Sequence, residues 1–433
     1  MRIAPNERFP DIPTALRAVG IVFVCLGLLA IARLTLTPGG SPVQSHFLCV
    51  RCGDRPAVDF LLNVLLFIPF TIGLGLLRVR AGRALALAIA LSCSIEALQY
   101  FVIVGRYSTL RDIVANSLGA IVGFALGQQW QTLLAPDRRR AIRLYAAGAA
   151  AWIVVQGFTA WALGVSPPMP PWWAQFRPHH RRYAGAFDGK VVQLSIGSMV
   201  ARVSDSLADA DVGRQALLFG EPMQVTATGV SSARGIAPVA ILSAGPLYDV
   251  AMWALRKNDG IFMMSVRGTR LGLRTPLVRI RNVVPTSPAD TLVLSGRYFA
   301  GRYELRAVSG GRRELRTLDV SPSLTWTFFL PLPLYALGES APVITAIWIA
   351  GIWLVLGYWA GRGAAPADLK LLIGMVGAMV VGFVVVPDLF GIPAAHWSEW
   401  LAAAAAGSAG ALIAQRAPRA EGPASTETLR HVS

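Results

Sequence analysis

The chain has 433 residues, 54% of them hydrophobic and only 15% charged, with a formal net charge of +16. Several apolar runs of spanning length rule out an ordinary soluble domain and mark a polytopic membrane protein. Many of the positive residues sit in short segments between those runs, as cytoplasmic loops do.

Residues 1–17, with Arg2, Arg8 and Arg17, read as a cytoplasmic N-terminus. The apolar run 18–36 ends in Thr37-Pro38-Gly39-Gly40 and carries no small-x-small cleavage site, so it reads as an uncleaved first span. Cys49 and Cys52 follow in a loop on the far side of the membrane. A disulfide is the leading reading there, with a redox pair left open. Zinc would need two more ligands, and only His46 is near. A second span covers 59–77, and Arg78, Arg80 and Arg83 make the next loop basic. The third span covers 84–104 and the fourth 113–133, before the basic stretch from Pro136 to Arg143. The fifth covers 144–165.

Residues 166–184 form a Pro- and Trp-rich linker suited to the membrane interface. Residues 185–321 hold no spanning run. Alternating segments at 223–228, 239–242, 260–267, 277–281, 291–294 and 302–306, set apart by turn residues, predict a β-sandwich. The segment 324–337, short and bearing Pro331 and Pro333, reads as interfacial or re-entrant. Three more spans follow within 341–414, at 341–359, 369–386 and 397–414, and then a polar, disordered cytoplasmic tail, 415–433. The expected fold is therefore a polytopic α-helical membrane protein of about eight transmembrane helices with an inserted extracytoplasmic β-sandwich. Loop charge places residues 166–321 outside and both termini inside, as in a multi-pass protein of the cell inner (cytoplasmic) membrane.

Three apolar segments carry an acid and an amide three or four residues apart. They are Asp59 with Asn63, Glu96 with Gln99, and Asp112 with Asn116. Those spacings place each pair on one helix face. A carboxylate at mid-bilayer costs roughly 2.5–3.5 kcal/mol, so such residues face one another, a cation or water. Matching polar faces on three helices predict one shared pocket in the outer half of the membrane, with Arg106 as a positive partner and Glu96 about two turns deep. Gly119 and Gly123 read as close-packing positions. A second reading stays open: Asp59 and Asp112 cap helices, and the amides are interhelical ties.

Asp59-Phe-Leu-Leu-Asn63, Phe67, Pro69, Glu96, Gln99, Arg106, Asp112-Ile-Val-Ala-Asn116, Gly119 and Gly123 resemble the VanZ-like family, over about residues 20–130 of this chain. The Cys-x-x-Cys-Gly loop is similar to one branch of it. One member is linked to low-level teicoplanin resistance, and the family's biochemical activity is not established. The resemblance thus implies a role in envelope maintenance or glycopeptide resistance. The stretches 222–228, 237–243 and 262–269 resemble laminin G-like or concanavalin A-like jelly rolls, which often bind glycans, sometimes with calcium. Asp205, Asp209 and Asp211 read as solvated rather than as a calcium cage.

No nucleophile constellation, P-loop or dinucleotide fingerprint is present, and His179-His180 read as part of a solvated basic tract. No metal and no cofactor is expected. Lys and Arg outnumber Asp and Glu roughly two to one between Ser166 and Ser321. Outside the cell that charge suits glycans or anionic envelope polymers, not nucleic acid. The expected activity is non-enzymatic binding of membrane lipid, another amphiphile or a lipid-linked cell-wall precursor. A membrane enzyme acting on such an intermediate, with Glu96 as acid or base, and a ligand-free scaffold are the alternatives.

Overall fold

The computed structural model describes residues 13–38, 47–50, 56–176, 185–201, 209–245, 248–271, 273, 277–326, 334–364 and 369–417. Cys52, His179, His180, Asp205, the segment 327–333 and the tail beyond 417 lie outside the described residues. The chain forms two compact units, one reaching to Arg140 and one built from Ala141–Ala417.

The first unit contains α1 (Thr14–Thr35), α2 (Pro56–Leu76), α3 (Ala81–Phe101), α4 (Leu110–Gln128) and the single turn α5 (Trp130–Leu134). The first four are long and apolar enough to cross a membrane. Their packing follows from small residues. On α4, Gly119, Gly123 and Gly127 recur every four residues and lie flush on the carbonyls of Val64, Ile68 and Ile72, which recur every four on α2. A Cβ on any of the three would overlap that backbone. On α1, Gly27 meets the Phe70 backbone, and Gly20 lies against Gly73 and Leu77. Ile31, Phe67, Phe70, Leu74, Ile95 and Ala120 fill the space between.

In the second unit, α6 (Arg138–Ala162) is the fifth apolar helix. It starts six residues before the expected span because its basic N-terminal turns stay helical while their charges reach toward water. A two-sheet antiparallel domain follows. Its strands are β1 (Trp173–Phe176), β2 (Lys190–Ile196), β3 (Met199–Ala201), β4 (Met223–Thr228), β5 (Ala233–Ser243), β6 (Asp249–Lys257), β7 (Asp259–Met264), β8 (Leu277–Ile280), β9 (Leu292–Phe299), β10 (Arg302–Ser309) and β11 (Arg312–Asp319). The sheet orders are β1-β5-β6-β7-β8 and β11-β10-β9-β4-β2-β3, an arrangement compatible with a jelly roll. A helix, α7 (Ala210–Leu218), lies between β3 and β4. Trp253 of β6 holds the two sheets together, since its Nε1–H donates to the Met223 carbonyl of β4 at 3.2 Å. Gly296 leaves room for the Trp253 and Phe262 rings, whose centroids are 5.0 Å apart.

The expected linker 166–184 is corrected here. Its residues 173–176 form β1 and pair with β5, and Trp172 is fully buried rather than interfacial. The prolines hold the chain extended, which suits an edge strand.

After α8 (Pro322–Thr325) comes α9 (Leu334–Gly363), so the end of the expected interfacial segment 324–337 belongs to the sixth long helix. The next apolar stretch, Leu369–Leu389, comprises α10 (Leu369–Val380), a π-helical turn at Val381–Val385 and α11 (Val386–Leu389). That turn places Gly382 against the Trp152 ring, where a Cβ would clash. The expected eighth span forms α12 (Trp397–Arg416), but it is not one of the seven described helices apolar enough to cross a membrane by composition. Glu399 and its Ser and Gly residues lower its hydropathy, and its small residues let it pack closely along α9, with Gly407 on Gly357 and Gly410 on the Leu354 carbonyl.

Candidate functional site

The predicted polar residues meet at the end of the first unit where α2 and α4 begin and α1 and α3 end. Thr109 is the N-cap of α4, and its side-chain oxygen accepts the Asp112 N–H at 3.0 Å. In a capping box the acid three residues on would reach back to the Thr109 N–H. Here Glu96 of α3 takes that N–H instead, through Oε2 at 2.7 Å. The Asp112 carboxylate therefore turns to α2, where the Asn63 amide and the Asp59 carboxylate lie beside it. Glu96 is close enough to interact electrostatically with Asp112. Three carboxylates, one amide and the positive charge of Arg111, from three helices, thus share one place. Glu96 and Asn116 are both 2% exposed. Asp112 Oδ1 is buried with no hydrogen-bond partner among the described residues.

Other predicted members are used differently. Gln99 donates to the Thr35 carbonyl at 3.1 Å. Arg106 does not pair with Glu96. Its Nε donates to the Thr37 carbonyl at 3.0 Å and its Nη2 to the Leu34 carbonyl at 2.9 Å. A cation suits this end of α1, where the carbonyls have no helical partners. Asn116 donates to Ser92 Oγ at 2.9 Å, tying α4 to α3. Glu96 lies five residues from the end of α3, shallower than expected, because that helix stops at Phe101.

The cysteine loop lies over this cluster. Cys49 N–H donates to the Ser108 carbonyl at 3.0 Å, and the Cys49 carbonyl accepts from Leu110 N–H at 3.3 Å. Cys49 is disulfide-bonded, and Cys25 and Cys93 are free. Phe47 meets Tyr100 edge-on and Phe101 at a tilt, at centroid distances of 5.0 and 6.1 Å. Phe101, Val102 and Val104, at and just past the end of α3, are 74%, 67% and 76% exposed. Among the described residues no group of His, Cys, Asp and Glu is arranged to hold a metal ion.

Sequence reasoning missed Ser92, Ser108 and Thr109. The signal for Thr109 was present, since Thr109-Leu-Arg-Asp112 has the spacing of a helix start.

The helices, their buried carboxylates and the two-sheet domain define a multi-pass helical membrane protein. Residues 22–131, roughly a quarter of the chain, match the family model described as VanZ/LLP1. The matched stretch contains every member of the polar cluster. No curated protein and no solved structure matches the chain.

Proposed function

We propose that the first unit binds the polar head of an amphiphile or a lipid-linked envelope precursor at the Asp59–Glu96–Asp112 cluster. The supporting observation is Asp112 itself. Its carboxylate is half-buried beside two others, and Oδ1, shielded from solvent, has no hydrogen-bond partner among the described residues. A carboxylate- and amide-bearing site, with exposed apolar residues Phe101, Val102 and Val104 following the same helix, suits a head rich in amines or hydroxyls with an apolar tail in the membrane. In this reading the site faces outward across the inner membrane. The basic β-domain, expected outside the cell from loop charge, meets a glycan or anionic polymer. A part in glycopeptide resistance follows from the family resemblance.

The test is lipid mass spectrometry of the gently purified full-length protein beside Asp112→Asn. A species retained by the native chain and lost from the variant, with both equally folded, supports the reading. Equal lipid content in both sinks it. One observation favours a ligand-free scaffold as the second reading: Gln99, Arg106, Asn116 and Glu96 all serve helix-to-helix or helix-to-loop bonds.

A further inference from the structure

A cleft lies in the other unit. Between the β9–β10 hairpin and residues 391–393 is a cleft of about 430 Å³, lined by Arg297, Phe299, Arg302, Glu304, Ile392 and Pro393 among others. That is within the roughly 300–1,000 Å³ of small-ligand sites. The cleft is built by close approach. Gly301, at φ +74°, has no room for a Cβ against Ile392 and Pro393.

Chain connectivity places this cleft at a membrane boundary. Residues 390–396 follow the apolar stretch Leu369–Leu389 directly and lead into α12, which packs along the apolar helix α9. Three residues past a span end lie within roughly 11 Å of it even fully extended. Exposed apolar side chains flank the same segment, Leu389 at 76%, Phe390 at 44% and Trp397 at 68%, and Phe299, in the cleft lining, is 47% exposed.

The charge is fitted to a monoanion. Arg297 and Arg306 both pair with Glu304, and Arg302 forms a two-point pair with Asp319 at 2.5 and 3.1 Å. Three guanidiniums face two carboxylates, leaving one positive charge. Neutralised this way, Glu304 does not repel an anion, and each guanidinium keeps further N–H donors beyond those it gives to its carboxylate. A smaller cleft of about 120 Å³ shares Arg297 and Glu304 and continues toward Ser295 and Pro222, giving room for the rest of a polar head.

We propose that this interfacial cleft binds the phosphodiester headgroup of an anionic membrane lipid, with Arg297 and Arg302 on the phosphate and the acyl chains beside Phe299, Phe390 and Leu389. The site is distinct from the carboxylate cluster of the first unit, so Asp112→Asn should leave it intact.

The test is native mass spectrometry of the full chain in neutral detergent, titrated with phosphatidylglycerol, phosphatidylcholine or water-soluble glycerol phosphate. One phosphatidylglycerol should bind in preference to phosphatidylcholine, and glycerol phosphate should not displace it. Arg297→Gln/Arg302→Gln should weaken binding about tenfold or more, while Arg312→Gln, at the far end of β10–β11, should not. Equal binding of the two lipids, or an unaffected double variant, overturns the proposal. Displacement by glycerol phosphate would overturn the lipid assignment in favour of a free phosphoester. Should the double variant fail to fold, Arg302→Gln alone, at an exposed position, and the three-ligand comparison on the native chain decide the question.

Discussion

Glu96 carries two separable duties, an acceptor for a buried N–H and a negative charge, and two substitutions divide them. Thr109 is 3% exposed, and its N–H donates to Glu96 Oε2 at 2.7 Å. Glu96→Leu removes the acceptor and strands that donor, a loss of about 1–3 kcal/mol. Glu96→Gln keeps an oxygen in reach of Thr109 and removes one of three neighbouring negative charges. Its stability should stay within about 1 kcal/mol of the native chain or exceed it. The assay is reversible unfolding in mixed detergent micelles, followed by helicity. The expected order is Gln at or above Glu, and Leu clearly below both. A Leu variant as stable as the Gln variant would refute the claim that Glu96 holds the start of α4. The same pair reports on binding. Retention of an amphiphile should fall in Glu96→Gln if the charge matters, whereas under the ligand-free scaffold reading neither the native chain nor the variant retains one at this cluster.

Gly123→Leu should separate α2 from α4, because even a Cβ at that position overlaps Thr71 Oγ1 and the Ile68 carbonyl. A cost of about 1–3 kcal/mol or more is expected, read as a lower unfolding midpoint in detergent. Tyr298→Phe should cost about 1 kcal/mol, since the buried Tyr298 hydroxyl donates to the Leu163 carbonyl at 2.9 Å and ties β9 to the end of α6. A variant of unchanged midpoint would show that bond to be worth nothing. Arg297, and then Arg306, hold the Glu304 carboxyl below its ordinary 4.5. Its pairing therefore contributes fully above about pH 4.5 and is lost as pH falls through the lowered folded value. The stability difference between the native chain and Glu304→Gln should shrink on acidification, and a difference constant down to pH 2 would contradict this.

Apolar run length and residue alternation determined much of this protein by themselves. Each expected span became a helix, and each of the six expected strands lies on a strand of the two-sheet domain. The acid–amide spacing on α2, α3 and α4 was legible because helical periodicity decides which residues share a face. Partners were not legible. Arg106 bonds to carbonyls 69 and 72 residues away, at the end of α1, rather than to Glu96, ten residues away. Glu96 serves a backbone N–H that no side-chain pattern displays. Strand β1 was hidden in a proline-rich run, and β11 in the charged segment Arg312–Asp319, because an edge strand needs no apolar alternation when only its neighbour supplies the pairing. Sequence fixes which groups must leave water. Which of them then meet is decided by helix packing at glycines such as Gly119 and Gly123, where backbone contact sets the spacing and so the position of every polar side chain above it.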